Sequence, residues 1–139
     1  MAERHRTEHE VHHVSTDLAG WSREHVQRLA DAAQARGVDL GDSVGASAAG
    51  LLSTLREKAA EAVGHRPEPG LLLLRDLREL HLSATENSLH WEMLAQAAQA
   101  TKNDELLALA SACHPQTLRQ MRWTNTMVKT LSPQILSSL

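Results

Sequence analysis

Apolar side chains recur at helical spacing from Leu71 to Thr101, a stretch that contains no proline or glycine. At about 100° per residue they fall on two nearly opposite faces of one helix. The first face comprises Leu73, Leu77, Leu80, Ala84, Trp91, Ala95 and Ala98. The second comprises Leu71, Leu82, Leu89 and Met93. A helix that is apolar on two sides needs cover on both, so this segment is predicted to be the central helix of the fold.

Three further amphipathic segments accompany the long helix. Residues 22–36 carry apolar positions at helical spacing between a serine N-cap and a glycine stop, and residues 42–63 carry a second such stripe. Residues 104–131 form the last predicted helix. Within it, Pro115 either bends one helix or begins a separate one, and Pro133 is expected to mark its end.

Residues 1–20 are polar, alternate in charge sign and lack an apolar stripe, which is typical of a flexible tail. Residues 65–70 contain two prolines and are predicted to connect the second and third helices. The remaining residues, 21–139, are long enough for a single domain with a buried core. The predicted fold class is therefore all-α: an antiparallel four-helix bundle preceded by a flexible, histidine-rich N-terminal tail.

Composition narrows the expected partners and compartment. The net charge of -3 and the pI near 6.3 give no general attraction to nucleic acid or to anionic lipid. The longest leucine run, Leu71 to Leu74, is far too short to span a membrane. Cys113 is the single cysteine, so the chain cannot form an internal disulfide, and the cytoplasm is the expected location.

Glu79, Glu86 and His90 form a polar stripe beside the second apolar face of the long helix. Spacings of seven and four residues stack them on one side, so the His90 ring lies within reach of the Glu86 carboxylate. Imidazole and carboxylate groups that project from one helix are half of what a di-iron bundle uses. The structural alternative is a set of ion pairs with Arg119 and Arg122 of the following helix.

The last helix supplies few metal ligands, because no Asp or Glu follows Glu105 and His114 is its only strong donor. The metal hypothesis therefore takes Glu79, Glu86, His90 and His114 as ligands of iron or another transition metal. Without that site, the chain is expected to carry no cofactor.

The N-terminus offers a second candidate metal site. If this segment were helical, His5 and His9, together with either His12 or His13, would share one face and could hold zinc, nickel or copper. A polar tail whose imidazoles never converge is the alternative.

Cys113, Trp91 and Trp123 are predicted to be core residues. Cys113 and His114 are neighbours in sequence, but neighbouring side chains on a helix point about 100° apart and so do not form a thiol and base pair. Large aromatic side chains in a bundle rich in Leu and Ala usually fill space in the core.

Residues 71–132, with the segment LRELHLSATENSLHWEM at 77–93, resemble the helical hairpins of the ferritin-like superfamily, including small actinobacterial proteins of that class. The resemblance implies a four-helix bundle and frequent dimerisation. It also implies iron or oxygen chemistry where paired Glu-x-x-His motifs are present. Here Glu86 and His90 are four residues apart, and the partner helix lacks the matching acid.

Two functions are consistent with these features. The first is a non-enzymatic helical bundle that self-associates, as a homodimer, or binds another protein through the second apolar face. The alternative is a metal-binding bundle that uses the ligands named above. No phosphate-binding glycine loop, nucleophile elbow or zinc motif of established spacing indicates an enzyme.

Overall fold

The computed structural model of this chain describes residues 1, 2, 5, 8–38 and 68–139. Every regular element in these ranges is an α-helix: α1 is His9–Gln34, α2 is Pro69–Ala100 and α3 is Asp104–Leu136. This confirms the all-α prediction. The predicted helix over residues 42–63, and with it the count of four helices, lies outside the described residues. Among the described helices, none has the length and apolar character required to cross a bilayer.

The two long helices, α2 and α3, form an antiparallel hairpin. Pro69 occupies the first turn of α2, where its missing N–H costs nothing, so the helix begins two residues before the predicted start. Residues 101–103 join the helices, and Asn103 caps α3 by accepting a hydrogen bond from the Leu106 backbone N–H at 3.1 Å. At the opposite end of the hairpin, the start of α2 lies directly against the end of α3. A Cβ atom added to Gly70 would lie 2.9 Å from Ile135 Cγ2, which is too close for an ordinary contact.

Both prolines of α3 lie inside one continuous helix. Pro115 therefore does not begin a separate helix, and the prediction that Pro133 ends α3 is wrong, because the helix continues to Leu136. A proline removes only its own N–H from the hydrogen-bond ladder, and the ladder resumes beyond it. The Ser137 N–H donates to the Pro133 carbonyl at 3.2 Å.

The inner face of α2 provides most of its buried apolar surface, as its spacing predicted. Leu73, Leu77, Ala84, Trp91 and Ala98 are all buried. They contribute to two apolar clusters against α3. One contains Val11, Leu73, Leu77 and Met127, and the other contains Trp91, Leu109, Ala110 and Cys113.

Cys113 is completely inaccessible, in agreement with the prediction of a core cysteine. Burial raises the pKa of its thiol, which favours the neutral, unreactive form.

The N-terminal part of the chain departs from the prediction. A flexible tail over residues 1–20 is wrong for residues 9–20, because α1 begins at His9 rather than near residue 22. Val11 and Leu18 are buried, and Val11 joins the cluster formed by Leu73 and Leu77. Tertiary packing of a sparse apolar stripe therefore stabilises a helix whose composition alone is too polar. The predicted stop holds, since Gly37 has a left-handed φ of 75° just beyond Gln34.

The second apolar face of α2 points away from the hairpin. We call Leu71, Leu82, Leu89 and Met93 the outer stripe. Their side chains are 38%, 55%, 56% and 68% exposed, respectively. These exposures contrast with the complete burial of Leu77 on the inner face of the same helix.

Candidate functional site

The polar stripe of α2 lies at the protein surface. Glu79, Glu86 and His90 are exposed, and Glu79 Oε1 accepts a hydrogen bond from its neighbour Arg78 at 2.6 Å. Within the described part of the chain, neither Arg119 nor Arg122 forms an ion pair with these acids, so the local Arg78 contact replaces the interhelical pairs suggested by the sequence.

His114 is held inside the hairpin rather than at the polar stripe. Its Nε2 lies 2.8 Å from the Ser88 hydroxyl oxygen of α2, and Ser88 is buried. Across the residues that the structure describes, no three His, Cys, Asp or Glu side chains come together as metal ligands. The predicted metal site at Glu79, Glu86, His90 and His114 therefore stays a prediction.

Elemental analysis tests that prediction directly. We expect untagged protein to carry less than one equivalent of iron, zinc, nickel or copper, because Glu86 and His90 provide only two adjacent, exposed donors. A His90→Ala variant serves as the comparison. Stoichiometric metal in the parent protein that is lost in this variant would contradict the expectation and establish the metal-binding function.

The four N-terminal histidines have different surroundings. His5 is buried, and its Nε2 lies 3.0 Å from Asp76 Oδ2 on α2, which ties the start of the chain to the hairpin. His12 Nδ1 lies 2.9 Å from the Ala2 carbonyl oxygen. His9 and His13 are exposed on α1. The metal role predicted for this group is untested, but for His5 the structure supplies a structural role that the sequence did not indicate.

A cleft of about 250 Å³ lies where the three described helices meet. We call it the His25 cleft. Residues of α1 and α2 form its walls, and Thr117 and Gln120 of α3 lie between them. Trp91 is held in its wall by a hydrogen bond from its indole Nε1–H to the Thr117 hydroxyl, at 3.1 Å. His90 also lines this cleft, so one residue of the predicted metal site belongs to it.

His25 is a buried residue that is hydrogen-bonded to Gln116 of α3. Its Nε2 lies 2.6 Å from Gln116 Oε1, and with the amide in this orientation the oxygen accepts, so Nε2 carries the hydrogen. In the neutral ring the other nitrogen, Nδ1, is then an acceptor. The imidazole packs edge to face against Trp91, with the ring centroids 5.5 Å apart.

Gln120 is a second buried polar residue of the cleft, and its orientation also follows from its partner. Ser22 donates its only hydroxyl hydrogen to the Leu18 carbonyl at 3.0 Å, so its oxygen can only accept at the 3.5 Å contact with Gln120 Nε2. No described residue donates a hydrogen bond to Gln120 Oε1.

Sequence reasoning missed His25 and Gln120, although α1 carries a usable signal. Alternating steps of four and three residues connect its inward positions: Val11, Ser15, Leu18, Ser22, His25, Leu29 and Ala32. This is the spacing of a helix packed along one seam. Three of the seven positions are polar, which hid the stripe, and two of these three, Ser22 and His25, line the cleft.

Comparison with protein-family models, with curated proteins and with solved structures finds no match to this chain.

Proposed function

We propose that this protein is a ferritin-like helical bundle that acts by association rather than catalysis, and that two copies pair through the outer stripe of α2. In this proposal residues 42–63 supply the fourth helix of the bundle. The observation that supports pairing is the exposure of four large apolar side chains on one face: Leu71, Leu82, Leu89 and Met93.

The position of these residues supports a continuous contact surface. At about 100° per residue all four fall within roughly 40° of one another around α2, so they form a single line rather than scattered exposed residues. Leu71 and Met93 are 22 residues apart, which corresponds to about 33 Å along the helix. A surface of this length matches another helix better than it matches a small ligand.

The charges that flank the stripe favour a second copy in the antiparallel direction. Arg75 and Arg78 lie beside the stripe towards the start of α2, where Arg78 also contacts Glu79, whereas Glu86 and Glu92 lie beside it towards its end. Two copies that cross near Leu82 in opposite directions place Arg78 of each copy opposite Glu86 of the other. A parallel pair would instead align like charges along the whole length, which is destabilising. A twofold, self-complementary contact of this kind is the commonest arrangement in homo-oligomers.

Light scattering on the full chain tests pairing. We expect a dimer, and we expect Leu82→Glu to weaken it by about 100-fold or more because the two new carboxylates would face each other at the twofold crossing point without a counter-charge. Leu136→Glu is the matched control, since Leu136 at the end of α3 and Leu82 are both 55% exposed. The control should remain dimeric.

The competing cover for the outer stripe is the chain's own segment at residues 42–63, which has the sequence pattern of an amphipathic helix. In that case the parent protein is a monomer, and Leu82→Glu lowers its melting temperature without changing its mass. This outcome would overturn self-association. A dimer that Leu82→Glu leaves intact would also overturn pairing through the outer stripe.

A further inference from the structure

The His25 cleft combines apolar walls with two acceptor atoms to which no described residue donates a hydrogen bond. Val26 and Leu29 of α1 and Leu94 of α2 line it together with the Trp91 ring. Trp91, Leu29 and Leu94 belong to one of the two apolar clusters of the fold, so the cleft opens directly onto the core. A ligand that covers these side chains would gain from the removal of apolar surface from water.

The size of the cleft suits a ligand of about one ring. Its volume is about 250 Å³. An apolar cavity of about 150 Å³ in a helical protein accommodates benzene, so a substituted single ring fits here. The edge-to-face packing of His25 on Trp91 also gives the wall flat aromatic surfaces, against which a planar ring can pack.

The polar groups of the cleft define the ligand's hydrogen bonding. Gln120 Oε1 and His25 Nδ1 are both acceptors on buried residues, and no described residue donates a hydrogen bond to either atom. An acceptor deprived of water without a partner is costly, so an occupant that covers these atoms must donate to them. The ligand therefore carries N–H or O–H groups.

The lining also defines the ligand's charge. None of the described residues that line the cleft is Asp, Glu, Lys or Arg. A charged ligand would lose hydration without gaining a fixed counter-charge, and this loss is far larger than that of a neutral polar group. Asn87 and His90 are exposed residues at the cleft and can meet a polar substituent that remains in contact with solvent.

From these features we infer that the His25 cleft binds a neutral, single-ring aromatic molecule that bears an N–H or O–H donor, with Gln120 and His25 as the accepting residues. This inference is independent of dimerisation, because the outer stripe and the cleft share no residue.

Benzamide is a suitable probe, because it is neutral and planar and has two N–H donors. We expect calorimetry on the full chain to give a dissociation constant on the order of 1 mM or tighter, and we expect the Trp91 indole N–H resonance to shift on titration. Benzoate and benzylamine have the same ring with a negative and a positive charge, and each should bind at least about tenfold more weakly.

Two variants locate the site. Gln120→Leu keeps a similar side-chain volume and removes the acceptor, so it should weaken benzamide binding about tenfold. Gln99→Leu is the control, because Gln99 is exposed on α2 outside the cleft and its replacement should leave binding unchanged. Val26→Trp offers a second route should Gln120→Leu fold poorly, since it fills the cleft from a partly exposed position and should abolish binding.

Absence of benzamide binding to the parent protein would overturn the inference. Equal affinity for benzoate or benzylamine would overturn its neutral character. Binding that survives both Gln120→Leu and Val26→Trp would overturn the assignment to this cleft. Leu82→Glu should retain benzamide binding, so failure of the pairing proposal and failure of the ligand proposal remain distinguishable.

Discussion

Replacement of Leu77 by alanine is expected to lower the free energy of unfolding by about 3 kcal/mol, within the range measured for fully buried leucines. Leu77 is 0% exposed, and it packs against Leu73, Val11 and Met127 where all three described helices contribute side chains. The cost combines the lost transfer of the side chain from water with the cavity that remains when α1, α2 and α3 cannot all move inward.

Urea denaturation followed by circular dichroism measures this change. Leu136→Ala is the control, because Leu136 is 55% exposed, and its effect should stay within about 0.5 kcal/mol. A loss below about 1 kcal/mol for Leu77→Ala would mean that the cluster repacks freely, contrary to the fixed packing described here.

Removal of residues 1–20 is expected to lower the free energy of unfolding by about 4 kcal/mol. That value corresponds to the burial of Val11 and Leu18 alone, at about 2 kcal/mol for each fully buried aliphatic side chain. The deletion also takes away the cover of Leu73 and Leu77 and leaves Asp76 without its His5 contact.

Thermal unfolding of the truncated and full-length chains provides the measurement. Removal of residues 137–139 is the control at the other terminus, because these residues are exposed and should have little effect on the melting temperature. If the chain without residues 1–20 melted at the same temperature as the full chain, the N-terminal segment would be the flexible tail that its composition indicates.

The central helix could be predicted closely from the sequence because it carries its own signals. Its apolar periodicity distinguished the buried face. Of the seven residues predicted for that face, two are partly buried, Leu80 and Ala95, and five are buried: Leu73, Leu77, Ala84, Trp91 and Ala98. The end of the helix was also predicted to within one residue: the predicted last residue is Thr101, and the observed one is Ala100. Where local propensity and tertiary packing favour the same face, the pattern alone is sufficient.

The N-terminal helix could not be predicted in the same way, because its stabilising partners are far away in sequence. Ser15 illustrates the difficulty: a polar residue on a short stripe looks unsuited to burial, yet its hydroxyl donates to the Val11 carbonyl within the same helix. This hydrogen bond satisfies the Ser15 hydroxyl within α1, so the buried face of the helix can include a serine. The burial of this face becomes evident only when α1 is seen packed against α2 and α3.

The candidate site was predicted least well, because sequence reasoning favoured residues with strong metal-binding chemistry. Glu79 and Glu86 lie at the surface, whereas the buried polar groups of the cleft are an imidazole, an amide and a hydroxyl. Glutamine in a helix carries no motif, and the role of Gln120 depends on Ser22, which is 98 residues away. Of the four predicted ligands, only His90 lines the cleft.

The contact between Gly70 and Ile135 determines how the hairpin responds to mechanical force. The start of α2 and the end of α3 meet at the same end of the hairpin, opposite the turn at residues 101–103. A force that separates Pro69 from Leu136 therefore acts on the interhelical contacts one layer of side chains at a time. It does not load all the contacts between α2 and α3 together. The layer of Leu73 and Leu77 would separate early and the Trp91 layer later, so tension applied at this end would open the core in steps.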